Sequence, residues 1–253
     1  MTGMSADREL LILAIETATR AGSVALARGK AILGSASGDA SASHSTDLIK
    51  MVEGILTSGG AELSDVDLFA AALGPGSFTG LRIGLATIKS FAMCTGKGCA
   101  GVSTLAAIAH AAGDSENTVA LLPAGRGEVF AQMFSVRDGQ VRELDQAAHQ
   151  KPDAVLERYG EVSDLIWAGD GALLHAELLR ESAQARDVPF NQQTKSLQPG
   201  WTLAAPSEHL AKSIAALALT LFREGKTTSP DKLQADYVRA SDAEINERWQ
   251  EAK

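Results

Sequence analysis

Two hydrophobic rhythms alternate along this chain. Residues 10–15 are continuously apolar, the pattern of a strand covered on both faces. Glu16-Thr17-Ala18-Thr19 follows, small and polar, and predicts a turn. Residues 23–27 predict a second strand, closed by Arg28-Gly29-Lys30, and residues 31–36 a weaker third. Their close spacing predicts an antiparallel meander. The period then changes. Leu48, Ile49, Val52, Ile55 and Leu56 recur at helical spacing, after a small polar stretch in which Ser45 or Thr46 can cap. Gly59-Gly60 ends that helix.

The chain is organised around Gly74-Pro75-Gly76-Ser77-Phe78-Thr79-Gly80-Leu81-Arg82-Ile83-Gly84. An apolar run, 68–73, enters it, and a long apolar segment, 81–93, leaves it, which predicts strand, glycine turn and helix. Leu81, Leu85, Ile88 and Ala92 form an apolar stripe on the helix; Gly80, Gly84 and Ala86 leave a flat surface beside it. Residues 99–102 predict another strand, and Ser103 caps a short alanine-rich helix to Ala112. The polar break 113–117 predicts a lobe boundary. Beyond it come a strand at 119–123, a hairpin over 128–144 turned by Asp138-Gly139, and a helix at 152–159. A strand at 164–168 then opens into Gly169-Asp170-Gly171 and a helix to about 183. Residues 206–222 predict a strong helix, capped by Ser207 and stopped by Gly225. The tail is polar, with Tyr237-Val238-Arg239 predicted as an extended segment across the surface. The predicted domains are 1–112, rejoined by the 206–224 helix; 113–205; and the tail 225–253.

Composition narrows the function. The chain has 253 residues and a formal net charge of −8, a poor balance for gripping nucleic-acid phosphates unaided. Its two cysteines, Cys94 and Cys99, are not spaced as CxxC and read as reduced thiols in or beside a buried helix, which suits a cytoplasmic location. No secretory leader and no membrane span is expected, because no apolar run is long enough.

The candidate chemistry is thin. The five histidines are scattered, so neither HxxxH nor HExxH occurs. The Gly74–Gly84 stretch lacks the Walker lysine; a glycine turn at a helix start binds anions or simply permits tight packing. Ser77 is not in a GxSxG elbow. Asp170 between two glycines suits either a phosphate or magnesium site or an ordinary turn. On residues alone this is an α/β protein with nucleotide-fold ornaments and no catalytic set.

The motifs do resemble a known family. Residues 12–18, 23–26, 74–84 and 101–105, in that order, are similar to the TsaB (YeaZ) family of bacteria. The strong part of the resemblance covers 10–112. The second half is matched more loosely, by 126–130, 169–171 and 237–239. The resemblance implies a two-lobed actin/Hsp70-like (ASKHA) fold, each lobe a mixed sheet with flanking helices. It implies a non-catalytic role in making N6-threonylcarbamoyladenosine at position 37 of tRNAs reading ANN codons. The implied partners are the paralogous transferase TsaD as heterodimer, the ATPase TsaE, the threonylcarbamoyl-adenylate synthase, a second copy in isolation, and tRNA through the complex.

The catalytic paralogue carries HxxxH where Thr104 and Ile108 stand here, which excludes its metal and argues against a metallopeptidase. The implied interface is the helix pair 46–58 and 79–95, with Leu48, Met51, Ile55, Leu81, Leu85 and Ile88 as candidate contacts. No cofactor is firmly implied. ATP or ADP at the lobe or complex interface is the candidate, with Glu16, Thr17, Gly169, Asp170 and Gly171 around it. An independent ATP-binding or hydrolysing enzyme of the same fold is the alternative. One departure stands out: Pro123-Ala124-Gly125 occupies the place where the family commonly has Asp-Ala-Arg.

Overall fold

The structure, a computed structural model, describes residues 9–38, 44–192, 199–207 and 209–238, and of 44–46 the backbone alone. Arg239 and the tail beyond it, and the side chains of Ser45 and Thr46, lie outside the described residues. The chain divides into two compact units.

The first unit takes in Met1–Ala72, Arg82–Val102 and Glu208–Gln234. Its sheet has the order β3-β2-β1-β4-β5: β1 is Leu11–Glu16, β2 Ser23–Arg28, β3 Ala31–Ser37, β4 Leu68–Gly74 and β5 Gly98–Ser103. The first three form the expected antiparallel meander, and β4 joins β1 in parallel. All of β1 is buried, as a continuous apolar run requires. The cross-strand partners of Leu13 are Leu26 and Phe69, which therefore share one face. Phe69 meets Phe91 of α2 (Phe78–Thr95) at 6.2 Å between ring centroids, and Leu26 lies against Gly59 just past α1 (His44–Ser58). Helices α1 and α2 thus lie on the same face. The other face, carrying Ser23 opposite Glu16, is covered by a C-terminal helix, Leu210–Arg223.

Two caps differ from expectation. Helix α1 starts at His44, so Ser45 and Thr46 fall inside its first turn. The C-terminal helix starts three residues after Ser207 and draws its cap from another element: the Ser23 hydroxyl accepts the Ala211 N–H at 3.0 Å.

The second unit takes in Leu73–Leu81, Ser103–Ser207 and Ala235–Lys253. After the 73–81 segment comes α3 (Thr104–Ala112), whose cap Ser103 accepts from the Ala106 N–H as predicted. Strands β6 (Ser115–Gly125), β7 (Glu128–Arg137), β8 (Gln140–Glu143) and β9 (Ala148–Gln150) come next, then α4 (Pro152–Tyr159) and β10 (Leu165–Ala168). After them come α5 (Asp170–Leu174), α6 (Ala176–Ala185), β11 (Phe190–Gln192) and β12 (Trp201–Leu203); the C-terminal helix of the first unit is α7. The sheet order is β11-β12-β10-β6-β7-β8, with β9 on β7. Strands β11, β12, β10 and β6 run parallel, and β6 to β9 pair antiparallel.

The core on one face gathers Val119, Leu121, Tyr159, Leu179 and the edge-on pair Trp167–Trp201, 5.1 Å apart. Helix α3 packs on β6, β7, β8 and β10 without joining that cluster, so it covers the opposite face. Asp145 ties the chain between β8 and β9 to this core. Its carboxylate accepts the Met133 N–H at 2.9 Å and the Tyr159 hydroxyl at 2.6 Å, and pairs with Arg158 at 2.8 Å. Burial, before the bond to Asp145, pushes the Tyr159 phenol above its usual range.

Candidate functional site

The glycine-rich stretch is built as a capped helix start. The Ser77 hydroxyl accepts the Gly80 N–H at 3.2 Å, and its carbonyl accepts the Leu81 N–H at 2.8 Å. The Gly80 N–H is among the donors a phosphate would seek at a helix N-terminus, and it is already engaged. Two glycines have steric reasons. At Gly84 a Cβ would lie 2.2 Å from Thr17 Oγ1, so α2 can pass the end of β1 only without a side chain there. At Gly74, with φ +118°, a Cβ would lie 2.6 Å from the Asp236 carbonyl oxygen. Of the flat surface expected beside the helix stripe, Gly80 and Gly84 are buried and only Ala86 faces solvent.

The candidate nucleotide residues stand on two different units: Glu16 and Thr17 in the first, Gly169 to Gly171 in the second. Glu16 is 1% exposed. One of its carboxylate oxygens accepts the Thr19 N–H at 2.6 Å and the other the Thr19 hydroxyl at 2.8 Å. The β1–β2 turn is thus closed on its own buried anion. A phosphate there would meet a carboxylate and donors that are already in use. Thr17 is buried beneath Gly84.

In the second unit the glycines of Gly169-Asp170-Gly171 press the β10–α5 turn onto β6. A Cβ on Gly169 would sit 2.5 Å from the Leu121 carbonyl oxygen, and one on Gly171 2.8 Å from the Leu121 carbonyl carbon. Asp170 remains more than a third exposed, and partial burial raises its carboxyl above the ordinary carboxylate value. An added negative charge does not suit a phosphate. Within its own unit, neither group of residues offers a phosphate a ready seat.

The space around α3 is equally filled. Thr104 is fully buried and Ile108 is 5% exposed. Ile108 packs against the Gly169 turn, where a Cβ on that glycine would come within 3.0 Å of its Cγ2. These are the two positions at which the resemblance places metal-binding histidines in the catalytic paralogue. Among the described residues, no three His, Cys, Asp or Glu side chains are grouped to hold a metal ion.

The expected interface residues need correction as surface groups. Leu48, Ile55, Leu81, Leu85 and Ile88 are all buried within the chain, and Met51 is half-buried. Because Leu85 is buried, a charge there would act through the fold. The outward side of the pair is made of other residues: Ile49, 44% exposed, with Gly54 on α1, and Ala86 and Met93, the last 70% exposed, on α2. The placement of Ile49 on the buried face is thereby also corrected.

Of the thiols, Cys99 is buried in β5, where burial raises it to about 11 against a partly opposing Lys89, whereas Cys94 is exposed on α2. At the segment that departs from the family pattern, Gly125, Arg126 and Gly127 have φ of +80°, +54° and +77° at an exposed hairpin tip. No helix among the described residues is long and apolar enough to cross a membrane.

Known proteins share this arrangement. The TsaB protein of Escherichia coli K12, a tRNA threonylcarbamoyladenosine biosynthesis protein, is 30% identical over 240 residues, spanning 90% of this chain and 94% of that protein. The chain belongs to the TsaB family. A family model described as TsaD, tRNA N6-adenosine threonylcarbamoyltransferase, also matches residues 34–246 of this TsaB-family chain. The transferase of that name from Erythrobacter litoralis is 30% identical over 156 residues, covering 60% of this chain and 44% of the transferase. Among solved structures, YeaZ from Pseudomonas aeruginosa superposes with a TM-score of 0.72 at 26% identity, covering 90% of this chain and 99% of that one. The two-lobed α/β class inferred from the motifs is the class found.

Proposed function

We propose that this TsaB-family chain is a non-catalytic partner subunit in the formation of N6-threonylcarbamoyladenosine in tRNA, and that it binds and activates a TsaD-type transferase. A role in forming that nucleoside comes with the family. The accessory character rests on one observation above others: Thr104 and Ile108 are both buried, and Ile108 packs against the Gly169 turn. A catalyst of this family needs imidazoles there, and here a threonine hydroxyl and an isoleucine side chain stand in their place. The same inward use of Glu16 and the glycine turns supports it.

The association face is the outward side of α1 and α2. Gly54 is the informative residue. It lies in the interior of α1, it is exposed, and a Cβ there would meet nothing within 4 Å. A glycine in a helix interior costs about 1 kcal/mol relative to alanine. Nothing among the described residues requires that cost, and a closely approaching partner backbone would. The partner carries tRNA and nucleotide chemistry, with TsaE and the threonylcarbamoyl-adenylate synthase acting around the pair and a second copy of this chain taking the same face in isolation.

The deciding experiment is reconstitution. The transferase with its adenylate donor and tRNA is assayed by nucleoside mass measurement, with and without this chain. Dependence of product on the chain, with no ATP turnover by the chain alone, supports the reading. Full activity without it, or turnover by the isolated chain that Glu16→Ala abolishes in a folded variant, overturns it.

A further inference from the structure

We infer that residues 228–237 form a latch that fixes the β4–α2 turn and the first turn of α2. Within the first unit, Thr228 exchanges two backbone hydrogen bonds with Cys99 of β5, both 2.8 Å. Leu233 is then 3% exposed, and its carbonyl accepts from Lys89 Nζ at 2.9 Å. Within the second unit, the Asp236 N–H donates to the Leu73 carbonyl at 2.8 Å, and the Tyr237 ring lies 5.3 Å from that of Phe78, the first residue of α2. Gly74 completes the seat, since any side chain at its φ of +118° would collide with the Asp236 carbonyl. The segment therefore touches α2 at its start and its middle, and the strand that follows it.

The two ends of the latch differ. Cys99 and Leu233 anchor one end in buried surroundings, while Tyr237 at the other is 45% exposed. Local opening starts where buried apolar contact is least. The Tyr237–Phe78 pair is thus the end that releases, freeing the Leu73 carbonyl and the turn at Gly74 while Leu233 stays in place. This inference does not depend on the proposed partner role.

The test is hydrogen exchange of the full-length chain, read by mass spectrometry on peptides covering residues 74–81. Tyr237→Ala should speed exchange there by roughly threefold to tenfold, the worth of an aromatic pair. Tyr237→Phe, which keeps the ring, should leave it near the unaltered rate. Peptides from β1 and α7 should not change. Unchanged exchange over 74–81 in Tyr237→Ala would overturn the latch, as would equal acceleration in Tyr237→Phe or acceleration spread over the whole chain.

Discussion

Replacing Gly54 by alanine should strengthen the isolated chain and weaken its complex. The first half follows from helix energetics. Gly54 lies inside α1, one turn before its last residue, and the added methyl group meets no described atom within 4 Å, so no clash offsets the propensity gain. That gain is about 0.8–1 kcal/mol. For a unit of this size it raises the melting temperature by roughly 2–4 °C. The second half follows from close packing. If a partner helix runs across Gly54, one methyl group forces the backbones apart and costs about 1–3 kcal/mol, or roughly 5- to 150-fold in affinity. Gly54→Leu should lose more affinity while keeping nearly the same stability, because leucine is almost as good a helix former as alanine. The assay pairs thermal unfolding of the free chain with titration against the transferase by calorimetry. A higher melting temperature with unchanged affinity would remove Gly54 from the interface. A lower melting temperature would refute the premise that the glycine has no internal role.

Three further outcomes follow from single contacts. Gly84→Ala places a methyl group 2.2 Å from Thr17 Oγ1 and should destabilise by about 1–3 kcal/mol in urea unfolding, with Thr17→Ala recovering much of the loss in the double variant; additive losses would show that the contact is not the cause. Glu16→Ala leaves the Thr19 N–H without its carboxylate and should cost about 1–3 kcal/mol of stability with no change in nucleotide binding by fluorescence; lost binding in a folded variant would restore the nucleotide reading. A thiol reagent should modify Cys94 quickly and Cys99 only on opening. Because burial raises the folded Cys99 from 9.0 to about 11, its neutral thiol contributes stability below pH 9 that is lost as the pH rises through 11; equal labelling rates at pH 8 would contradict this.

How far the sequence carries depends on whether the deciding contact is local. The run at 10–15 gives β1 because a strand buried on both faces needs no polar alternation. Helix α4 matches its predicted bounds, since Pro152 opens it and Gly160 follows its last residue. The Asp138-Gly139 turn is legible because both residues take positive φ, 53° and 73°. Strand β12 is not legible: three residues, Trp201 to Leu203, become a strand only by pairing with residues 165–167 and with β11. The start of β6 hides inside a polar break, because Glu116 points to solvent while the backbone pairs with β7. The expected single helix after Gly171 is split at His175, whose backbone ends α5 and starts α6. The site was harder still. Periodicity marks which helix residues are apolar, but not that Leu85 and Ile88 face their own sheet while Ile49, on the apolar set of α1, faces out.

The glycines show why motif and function separate here. A glycine-rich turn opens space beside the backbone, and the sequence cannot say what enters that space. Here protein atoms enter it three times. Thr17 fills it at Gly84, Leu121 and Ile108 fill it at Gly169, and the Asp236 carbonyl fills it at Gly74. Each filling residue is far away in sequence from its glycine. The motif can therefore be kept while the residues that fill it change, and the change leaves no local mark. The filling also constrains the reverse path. A histidine at 108 would enter packed protein beside Gly169, so an imidazole there would first have to displace hydrocarbon, and one at 104 would need room at a fully buried position. At these turns the space a ligand would enter is taken by the chain's own atoms.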